Sequence, residues 1–426
     1  MKNFKEDLFD YINESKTAYH AVSNIAARLD AEGYTRLYEC DEWKLDAAHG
    51  YYVIRDGSSV IAFRTGNGPF MIAAAHSDSP AFRVKNVNAG AKYIKLDTEK
   101  YGGLIHYTWL DRPLAVAGRA VVKTESGLAT HLVTLDIAPV IPSLAIHMNR
   151  TVNDGAKLSL TSDMIPLCGI GTGTDVAASL EALVADKLGV SPDAVASCEM
   201  YLVANEAPIC VGMSGELVLS PRLDDLACVY SAFSGFLSAK DNDAVPVLAV
   251  FDNEEVGSET KQGAASTFLY DVLVRISGCE AEYRRRIASS FMISADNAHA
   301  SHPNHPELAD PKHAPTLGGG IVIKHNANQR YTTDAVSDAI LRTVAQRADV
   351  AVQTYYNRAD MPGGSTLGSI ANTKVPVATV DIGIPQLAMH AAVETAALAD
   401  IESMARLMEK FYSSSITRRG DEITLI

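Results

Sequence analysis

Six acidic and histidine residues stand far apart in the chain, and most of them follow an apolar run; they are His76, Asp224, Glu254, Glu255, Asp296 and His390. The apolar runs before His76, Glu254 and Asp296 cover residues 70–75, 245–251 and 291–295. Such short runs are typical of buried strands in a mainly parallel sheet, whose ligand and catalytic groups collect beyond the carboxyl ends of the strands. Separate loops that bring only His, Asp and Glu to one edge predict a hydrolytic site with two metal ions.

Each of these residues alone has a simpler structural explanation. A single histidine is usually a satisfied core or surface group, and paired acids usually lie on a solvated face. Asp225, which follows Asp224 and Pro221, would also serve as a helix N-cap. The adjacent carboxylates of Glu254 and Glu255 are harder to explain, because they repel each other unless a cation or a proton intervenes. One of them could bind a metal while the other takes a proton from water.

Length, composition and charge limit the class of protein. The 426 residues exceed the size at which one core usually keeps growing, so two domains are expected, and the apolar fraction of 47% is ordinary for a globular protein. A net charge of −14 argues against nucleic acid and membrane surfaces as partners. Neither a signal peptide nor a membrane helix is indicated, and six scattered cysteines without a CxxC pair indicate free thiols, which favours a cytoplasmic location.

Hydrophobic periodicity divides the chain into three segments. Residues 1–83 and 217–426 carry the helix and strand patterns of an α/β domain with a mixed, largely parallel sheet flanked by helices. Residues 84–216 carry alternating patterns broken by glycine and charged turns, which predict an inserted β-rich domain with one helix. The helices that bear on later comparisons are expected near 3–32, 176–187, 262–275 and 391–412.

Six short motifs occur in the order found in a known family: AHSDSP at 75–80, SPRLDD at 220–225, FDNEEVGS at 251–258, SADNAH at 294–299, MPGGST at 361–366 and DIGIPQLAMH at 381–390. With them the chain resembles the M18 metallo-aminopeptidases, the aspartyl aminopeptidase family. The resemblance implies a zinc-peptidase-like α/β fold in which the inserted β-rich domain mediates dimerisation and further assembly.

The resemblance also implies a set of metal ligands. One ion would be held by His76, Asp224 and Asp296, and the second by Asp224, Glu255 and His390, with Asp224 bridging. Two divalent ions about 3.5–4 Å apart would share a water and lower its pKa. Zinc is the expected metal, and the all-N/O ligand set also admits manganese or cobalt.

Four further residues receive roles from the same resemblance. Glu254 would be the general base, and Asp78, two residues beyond His76, would orient the imidazole of that ligand. His147 would steady the oxyanion in a neighbouring subunit, although an ordinary surface histidine is the alternative. Lys324 would pair with an acidic first side chain of the substrate, although a lysine at a solvated strand end is the alternative.

The expected function is that of a cytoplasmic dinuclear metallo-aminopeptidase that removes N-terminal, preferably acidic, residues from peptides. The resemblance implies a closed homododecamer, in which access to the active sites is restricted. Two alternatives stay open: an aminopeptidase of broader specificity, and a non-catalytic assembly protein that keeps only the scaffold. The complete ligand set and Glu254 speak against the second alternative.

Overall fold

The computed structural model describes residues 3–171 and 179–426. Its helices are α1 (Phe4–Glu14), α2 (Ala18–Ala31), α3 (Leu180–Leu188), α4 (Leu223–Ser238), α5 (Phe268–Ser277), α6 (Glu280–Ile287), α7 (Ala335–Arg347), α8 (Leu367–Ala371) and α9 (Leu398–Tyr412). Its strands are β1 (Thr35–Leu37), β2 (Gly50–Arg55), β3 (Ser59–Arg64), β4 (Phe70–His76), β5 (Ala81–Ala89), β6 (Tyr93–Tyr101), β7 (Leu114–Thr124), β8 (Gly127–Thr134), β9 (Leu167–Ile170), β10 (Val195–Ala204), β11 (Ile209–Val211), β12 (Leu217–Ser220), β13 (Val245–Phe251), β14 (Phe291–Ala295), β15 (Ala298–His299), β16 (Ile321–His325), β17 (Val352–Tyr356), β18 (Ala378–Gly383), β19 (Pro385–Leu387), β20 (Glu394–Ala397), β21 (Ile416–Arg419) and β22 (Glu422–Leu425).

A nine-stranded sheet in the order β1-β2-β3-β13-β4-β14-β18-β16-β17 forms the centre of the α/β part. Its middle strands β13, β4, β14 and β18 run parallel to one another, whereas β2 with β3, β3 with β13, and β16 with β18 are antiparallel. The expectation of a mixed, largely parallel sheet flanked by helices is therefore confirmed.

Helices cover both faces of this sheet, as its apolar strands require. Successive side chains of β4 point to opposite faces, so that Met71 and Ala73 join one hydrophobic cluster and Phe70 and Ile72 join another. The first cluster includes residues of α1, α2, α4, α7 and α9, and the second includes residues of α5, α6 and α8. β4 is therefore buried on both faces and ends at His76.

A second, six-stranded antiparallel sheet in the order β8-β7-β10-β5-β6-β9 is built from residues between Ala81 and Ala204. It has its own hydrophobic cluster, to which Leu180 and Val184 of α3 contribute. The division of the chain at 84 and 216 stays a prediction, and β5 begins three residues before the first of these boundaries. A third sheet has five strands in the order β11-β12-β20-β19-β15. Along the chain, β11 and β12 precede α4, and the other three strands follow it.

Three of the expected helices differ from the structure. The helix expected at 3–32 is two helices, because the backbone of Ser15, with φ −90° and ψ 65°, leaves the helical conformation and ends α1. The helix expected at 262–275 begins only at Phe268, because residues 261–267 form turns and bends. In the helix expected at 391–412, residues 394–397 instead form β20, because they pair with β12 and β19.

The fourth expected helix, at 176–187, is observed as α3 from Leu180 to Leu188, and its residues 176–178 lie outside the described part of the chain. Within the described residues, no helix has the length and apolar character needed to cross a membrane.

Candidate metal centre

The neighbouring parallel strands β13, β4 and β14 bring most of the candidate residues to one edge of the large sheet. His76 is the last residue of β4 and stands opposite Phe251, the last residue of β13. Glu254 and Glu255 follow β13 in a short 3₁₀ turn, and Asp296 directly follows β14. Parallel strands end at a common edge, so these loops meet in space.

Two ligands come from outside those three loops. Asp224 is the second residue of α4, where its backbone angles are not helical, and His390 lies between β19 and β20 with a positive φ of 67°. His390 Nε2 lies 3.5 Å from Asp224 Oδ2 and 3.5 Å from Glu255 Oε2. His76 Nε2 lies 3.4 Å from the other oxygen of Asp224. Asp224 therefore lies between the two histidines.

The candidate ligands form two overlapping groups. Each residue of a group offers one nitrogen or oxygen atom as a possible ligand. Within a group, all of these atoms lie within 4.8 Å of one another. The first group is His76, Asp224, Asp225 and Asp296, and the second is Asp224, Glu255 and His390. Asp224 is common to both groups.

Asp78 touches His76 as expected and also supports the neighbouring acidic turn. The Nδ1 atom of His76 lies 3.1 Å from the backbone oxygen of Asp78 and 3.4 Å from its carboxylate. The Asp78 carboxylate accepts the backbone N–H groups of Glu254 and Glu255, each at 3.1 Å, and the hydroxyl of Tyr101 at 2.6 Å. One buried acid thus fixes both a candidate ligand and the turn that carries the candidate base.

Asp225 does not act as the helix cap that its position suggested. Its carboxylate accepts the backbone N–H of His76 at 3.1 Å. The N-cap residue of α4 is Arg222, whose side chain makes no capping hydrogen bond. The second oxygen of Asp225 is buried without a hydrogen-bond partner and lies near His76, Asp224 and Asp296. Sequence reasoning missed this contact because an Asp near a helix start has an ordinary structural explanation.

The surrounding carboxylates raise the pKa of both candidate histidine ligands. Burial disfavours the charged form of His76, but the negative charge of Asp225 and the nearby carboxylates of Asp224 and Asp78 outweigh it and raise the pKa of His76 well above its ordinary value. Burial also opposes protonation of His390, but contact with Asp224 and Glu255 raises its pKa to about 10. Positive charge is therefore favoured at both ends of the cluster.

The carboxylates of the site are crowded together away from water. Burial is the largest cause that raises the pKa of Glu254 to about 8, and burial also raises the pKa of Glu255 and of Asp296. Asp224 differs, because the two histidines, 3.4 and 3.5 Å from its oxygens, outweigh its burial and lower its pKa. A cation in the cluster would relieve this concentration of negative charge.

The residues present fit divalent metal ions. Three buried carboxylate oxygens, Asp224 Oδ1, Asp225 Oδ1 and Glu255 Oε1, have no hydrogen-bond partner among the described residues. Unsatisfied buried polar atoms are rare unless an ion or another ligand completes them. Imidazole nitrogens and carboxylate oxygens are the donors that zinc accepts in catalytic sites.

Lys324 lines the same cleft as His76, Asp224, Asp296 and His390, but its ammonium group already has partners within the protein. The cleft has a volume of about 220 Å³ and is lined by Lys324 together with Glu254, His299 and Tyr331. The side chain of Lys324 is buried, and its Nζ donates to the backbone oxygen of Asn297 at 3.0 Å. The same atom lies 3.7 Å from Asp296 Oδ2, and this charge outweighs burial and raises the pKa of Lys324.

His147 is not brought to this site within its own chain. It lies in an exposed turn of the segment between β8 and β9, and its neighbours Ile146 and Met148 are also exposed. A contribution of His147 to an active site would require a second subunit.

Glu394 is a buried acid beside the site that was not expected there. It is 2% exposed, and its carboxylate accepts the backbone N–H of Asp224 at 3.0 Å and that of His390 at 2.8 Å. The apolar spacing of residues 391–412 predicts one helix, which gives Glu394 no special position. An isolated acid within the run Ala-Ala-Val-Glu-Thr-Ala-Ala at 391–397 was the available signal.

Comparisons with known proteins agree with one another. The family described as aminopeptidase I zinc metalloprotease (M18) matches residues 11–412. A protein of Clostridium novyi (strain NT) named "Probable M18 family aminopeptidase 2" is 41% identical over 97% of this chain and 100% of that protein. A protein of Pseudomonas aeruginosa (strain UCBPP-PA14) with the same name is 37% identical over 96% of this chain and 98% of that protein.

Solved structures show the same fold. A chain of the complex titled "Cryo-EM structure of the Ape4 and Nbr1 complex" superposes with a TM-score of 0.92 and 35% identity, covering 96% of this chain and 85% of that chain. A chain of the S. cerevisiae mApe1 dodecamer superposes with a TM-score of 0.83 and 25% identity, covering 96% of each chain.

Proposed function

The chain belongs to the M18 family of zinc metallo-aminopeptidases, and on that basis we propose that it is a dinuclear aminopeptidase with a preference for acidic N-terminal residues. In this proposal His76, Asp224 and Asp296 hold one divalent ion, and Asp224, Glu255 and His390 hold the second. The single observation that supports two ions best is the pair of ligand groups that share Asp224. Zinc is the metal that the family description names.

The bound ions would supply Lewis acidity for the peptide carbonyl and acidify the attacking water. The residues of the chain then have separate tasks. Glu254 lines the cleft and belongs to neither ligand group of the described residues, so its carboxylate is free to accept a proton from the attacking water and deliver it to the leaving amide nitrogen. Asp78 fixes the turn that carries Glu254 through its backbone N–H.

Lys324 supports the acidic preference. It is a buried cation in the wall of the cleft, where a carboxylate of the substrate would be shielded from water. In such surroundings a charge-assisted hydrogen bond is strong. Selectivity for an anionic side chain must come from such a local charge, because the net charge of −14 repels anionic peptides at a distance.

One observation favours the broader specificity considered as the alternative. Lys324 Nζ lies 3.7 Å from Asp296 and already donates to Asn297, so part of its charge is balanced before a substrate binds. A lysine that serves only to hold Asp296 would give no preference among first residues.

Steady-state rates on aspartyl, glutamyl, alanyl and leucyl substrates distinguish these cases. We expect the purified protein to cleave all four, with the highest kcat/KM on the two acidic ones, and to lose activity on chelation and regain it with zinc. Equal kcat/KM values on the four substrates would support the alternative. Activity that survives complete removal of metal would contradict the proposed function.

We further propose that residues 84–216 form the oligomerisation domain of a closed homododecamer, in which His147 acts in a neighbouring subunit. The solved dodecamer of similar fold supports this proposal, as do the exposed apolar side chains around His147. The cytoplasmic location expected from the free cysteines stays a prediction.

A further inference from the structure

Glu394 joins two segments that come from distant parts of the chain. It is the first residue of β20, and its carboxylate contacts the backbones of Asp224 and His390. One carboxylate oxygen accepts the N–H of Asp224, 170 residues away in sequence, and the other accepts the N–H of His390, four residues away. Both bonds are made to the backbone of a proposed metal ligand.

This arrangement fixes the ligand side chains through their backbones. The orientation of a Cα–Cβ bond follows from the peptide groups on either side, so holding the N–H of Asp224 and of His390 fixes where their side chains start. Neither segment is regular at this point: Asp224 has non-helical angles, and His390 has a positive φ. A shared acceptor therefore replaces the regular hydrogen bonding that would otherwise hold them.

Hydrogen bonds also connect Glu394 with the loop that carries Asp296, a proposed ligand of the first ion. Gln386 Nε2 donates to Glu394 at 3.3 Å, and Asn297 Nδ2 donates to Gln386 Oε1 at 2.7 Å. Asn297 directly follows Asp296 in sequence and accepts the Lys324 ammonium at its backbone oxygen. Gln386, Asn297 and Glu394 are each no more than 2% exposed, so water does not compete for these bonds.

We propose that Glu394 is a positioning residue that sets the separation of Asp224 and His390 and thereby the affinity of the site for its second metal ion. Glu394 is not a ligand itself, since it belongs to neither ligand group of the described residues and both its oxygens are engaged by N–H donors. The inference rests on the proposed function, in that it requires a site for two ions.

The variant Glu394→Gln tests this role. Its amide keeps the size of the side chain but turns an NH₂ group toward one of the two N–H donors, so one ligand backbone loses its acceptor. We expect zinc affinity at the second site, that of Asp224, Glu255 and His390, to fall about 10- to 100-fold, as is usual when a group that orients a ligand is changed. At low free zinc, metal analysis should give close to two ions per subunit for the unchanged protein and close to one for the variant.

Asp400 provides a matched control. It is a buried carboxylate that also accepts two backbone N–H groups, those of Gly318 and Gly320, at 2.7 and 2.9 Å. None of these residues is a proposed ligand. Asp400→Asn should therefore lower the Tm of the metal-free protein without changing zinc content or affinity, whereas Glu394→Gln should change both zinc content and affinity.

The outcomes are distinguishable. If Glu394→Gln does not fold, Gln386→Met decides, because it removes one support of Glu394 and leaves both backbone bonds. It also removes the acceptor of Asn297 Nδ2, so zinc affinity is titrated at both sites. A smaller loss of affinity at the second site supports the role of Glu394, and an unchanged affinity there overturns it. Equal zinc affinity in the folded variant and in the unchanged protein would overturn the role of Glu394. An unchanged protein that binds fewer than two ions would instead contradict the proposed function.

Discussion

Glu254 and Glu255 are adjacent in the chain but have different surroundings. Glu255 Oε2 lies 3.5 Å from His390 and belongs to a ligand group, whereas Glu254 lines the cleft outside both groups. The backbone of each is held by one oxygen of Asp78. The two side chains therefore extend from one fixed turn in different directions. Glu255 contacts His390 of the metal cluster, and Glu254 lines the cleft.

Glu254→Gln should keep both metal ions and lose most of the activity, because it removes a base without removing a ligand. The expected fall in kcat is about 10²- to 10⁴-fold. Zinc analysis together with steady-state rates checks this, and Glu259→Gln, an exposed acid in the same loop, is the control that should change neither. A Glu254→Gln protein that loses zinc but keeps near-normal turnover on the remaining loaded sites would reverse the roles of the two glutamates.

Lys324→Met should lower kcat/KM for aspartyl and glutamyl substrates far more than for alanyl and leucyl substrates. Methionine keeps the buried volume but removes the charge, and leaving one partner of a desolvated pair alone costs about 2–5 kcal/mol, or at least about 30-fold. Rates at saturating zinc separate this effect from any weakening of Asp296. Lys312→Met removes the same charge at an exposed position and is the control. An equal loss on all four substrates would leave Lys324 with a structural role only.

At the level of single residues, the sequence predicts the acidic and histidine side chains that directly follow buried apolar strands, because few structural roles account for them there. The loop positions of His76, Glu254, Glu255 and Asp296 after apolar strands indicate a common edge, and the structure brings them together there. Glu394 was not predicted, because its role depends on two N–H donors from separate segments, which no local pattern reports.

At the scale of elements, the position of Asp296 depends on how closely β18 approaches the loop after β14. A Cβ atom on Gly383 would lie 2.2 Å from the backbone oxygen of Asp296 and 2.8 Å from the nitrogen of Ala298. No side chain fits at such distances without moving one of the two segments. Gly383 thereby permits the contact that places this proposed ligand.

Gly383→Ala should therefore displace the Asp296 loop, lower the free energy of unfolding by about 1–3 kcal/mol and weaken zinc binding. Chemical denaturation and zinc titration measure the two effects. Gly169→Ala is a matched control in β9, because its Cβ would meet only the end of the Ile94 side chain at 3.8 Å. Unchanged stability and zinc affinity in Gly383→Ala would show that the loop yields easily and that the close approach does not position Asp296.

The elements that local periodicity mispredicted are those that tertiary contacts decide. The apolar spacing of residues 391–412 suits a helix, yet residues 394–397 pair with β12 and β19, and the helix begins only at Leu398. The break between α1 and α2 was hidden because Leu8 and Val22 belong to the same hydrophobic cluster and continue one pattern. The strands of the central sheet were easier to predict, since burial on both faces leaves short, wholly apolar runs.

At the scale of the whole molecule, the β-rich part presents apolar side chains that a monomer would leave in water. Leu144, Ile146 and Met148 are exposed by 60, 49 and 77%, and they flank His147. Exposed apolar groups that cluster in this way are typical of interaction surfaces. Association through this surface would both cover them and carry His147 toward another subunit.

Light scattering should give a mass about twelve times that of the 45.6 kDa chain. Met148→Asp should dissociate the assembly, because it would bury an unpaired charge in the contact. His147→Ala should leave the mass unchanged and lower kcat. A fully active monomer would contradict both the assembly and the contribution of His147 to a neighbouring site.

His76, Asp224, Asp296, Glu255 and His390 are proposed to hold two metal ions between them. Anomalous diffraction at the zinc edge, from crystals grown with zinc, locates such ions without reference to activity. We expect two peaks in each subunit, one beside His76 and Asp296 and one beside Glu255 and His390, with Asp224 between them. A single peak, or peaks at any other group of residues, would contradict the claim.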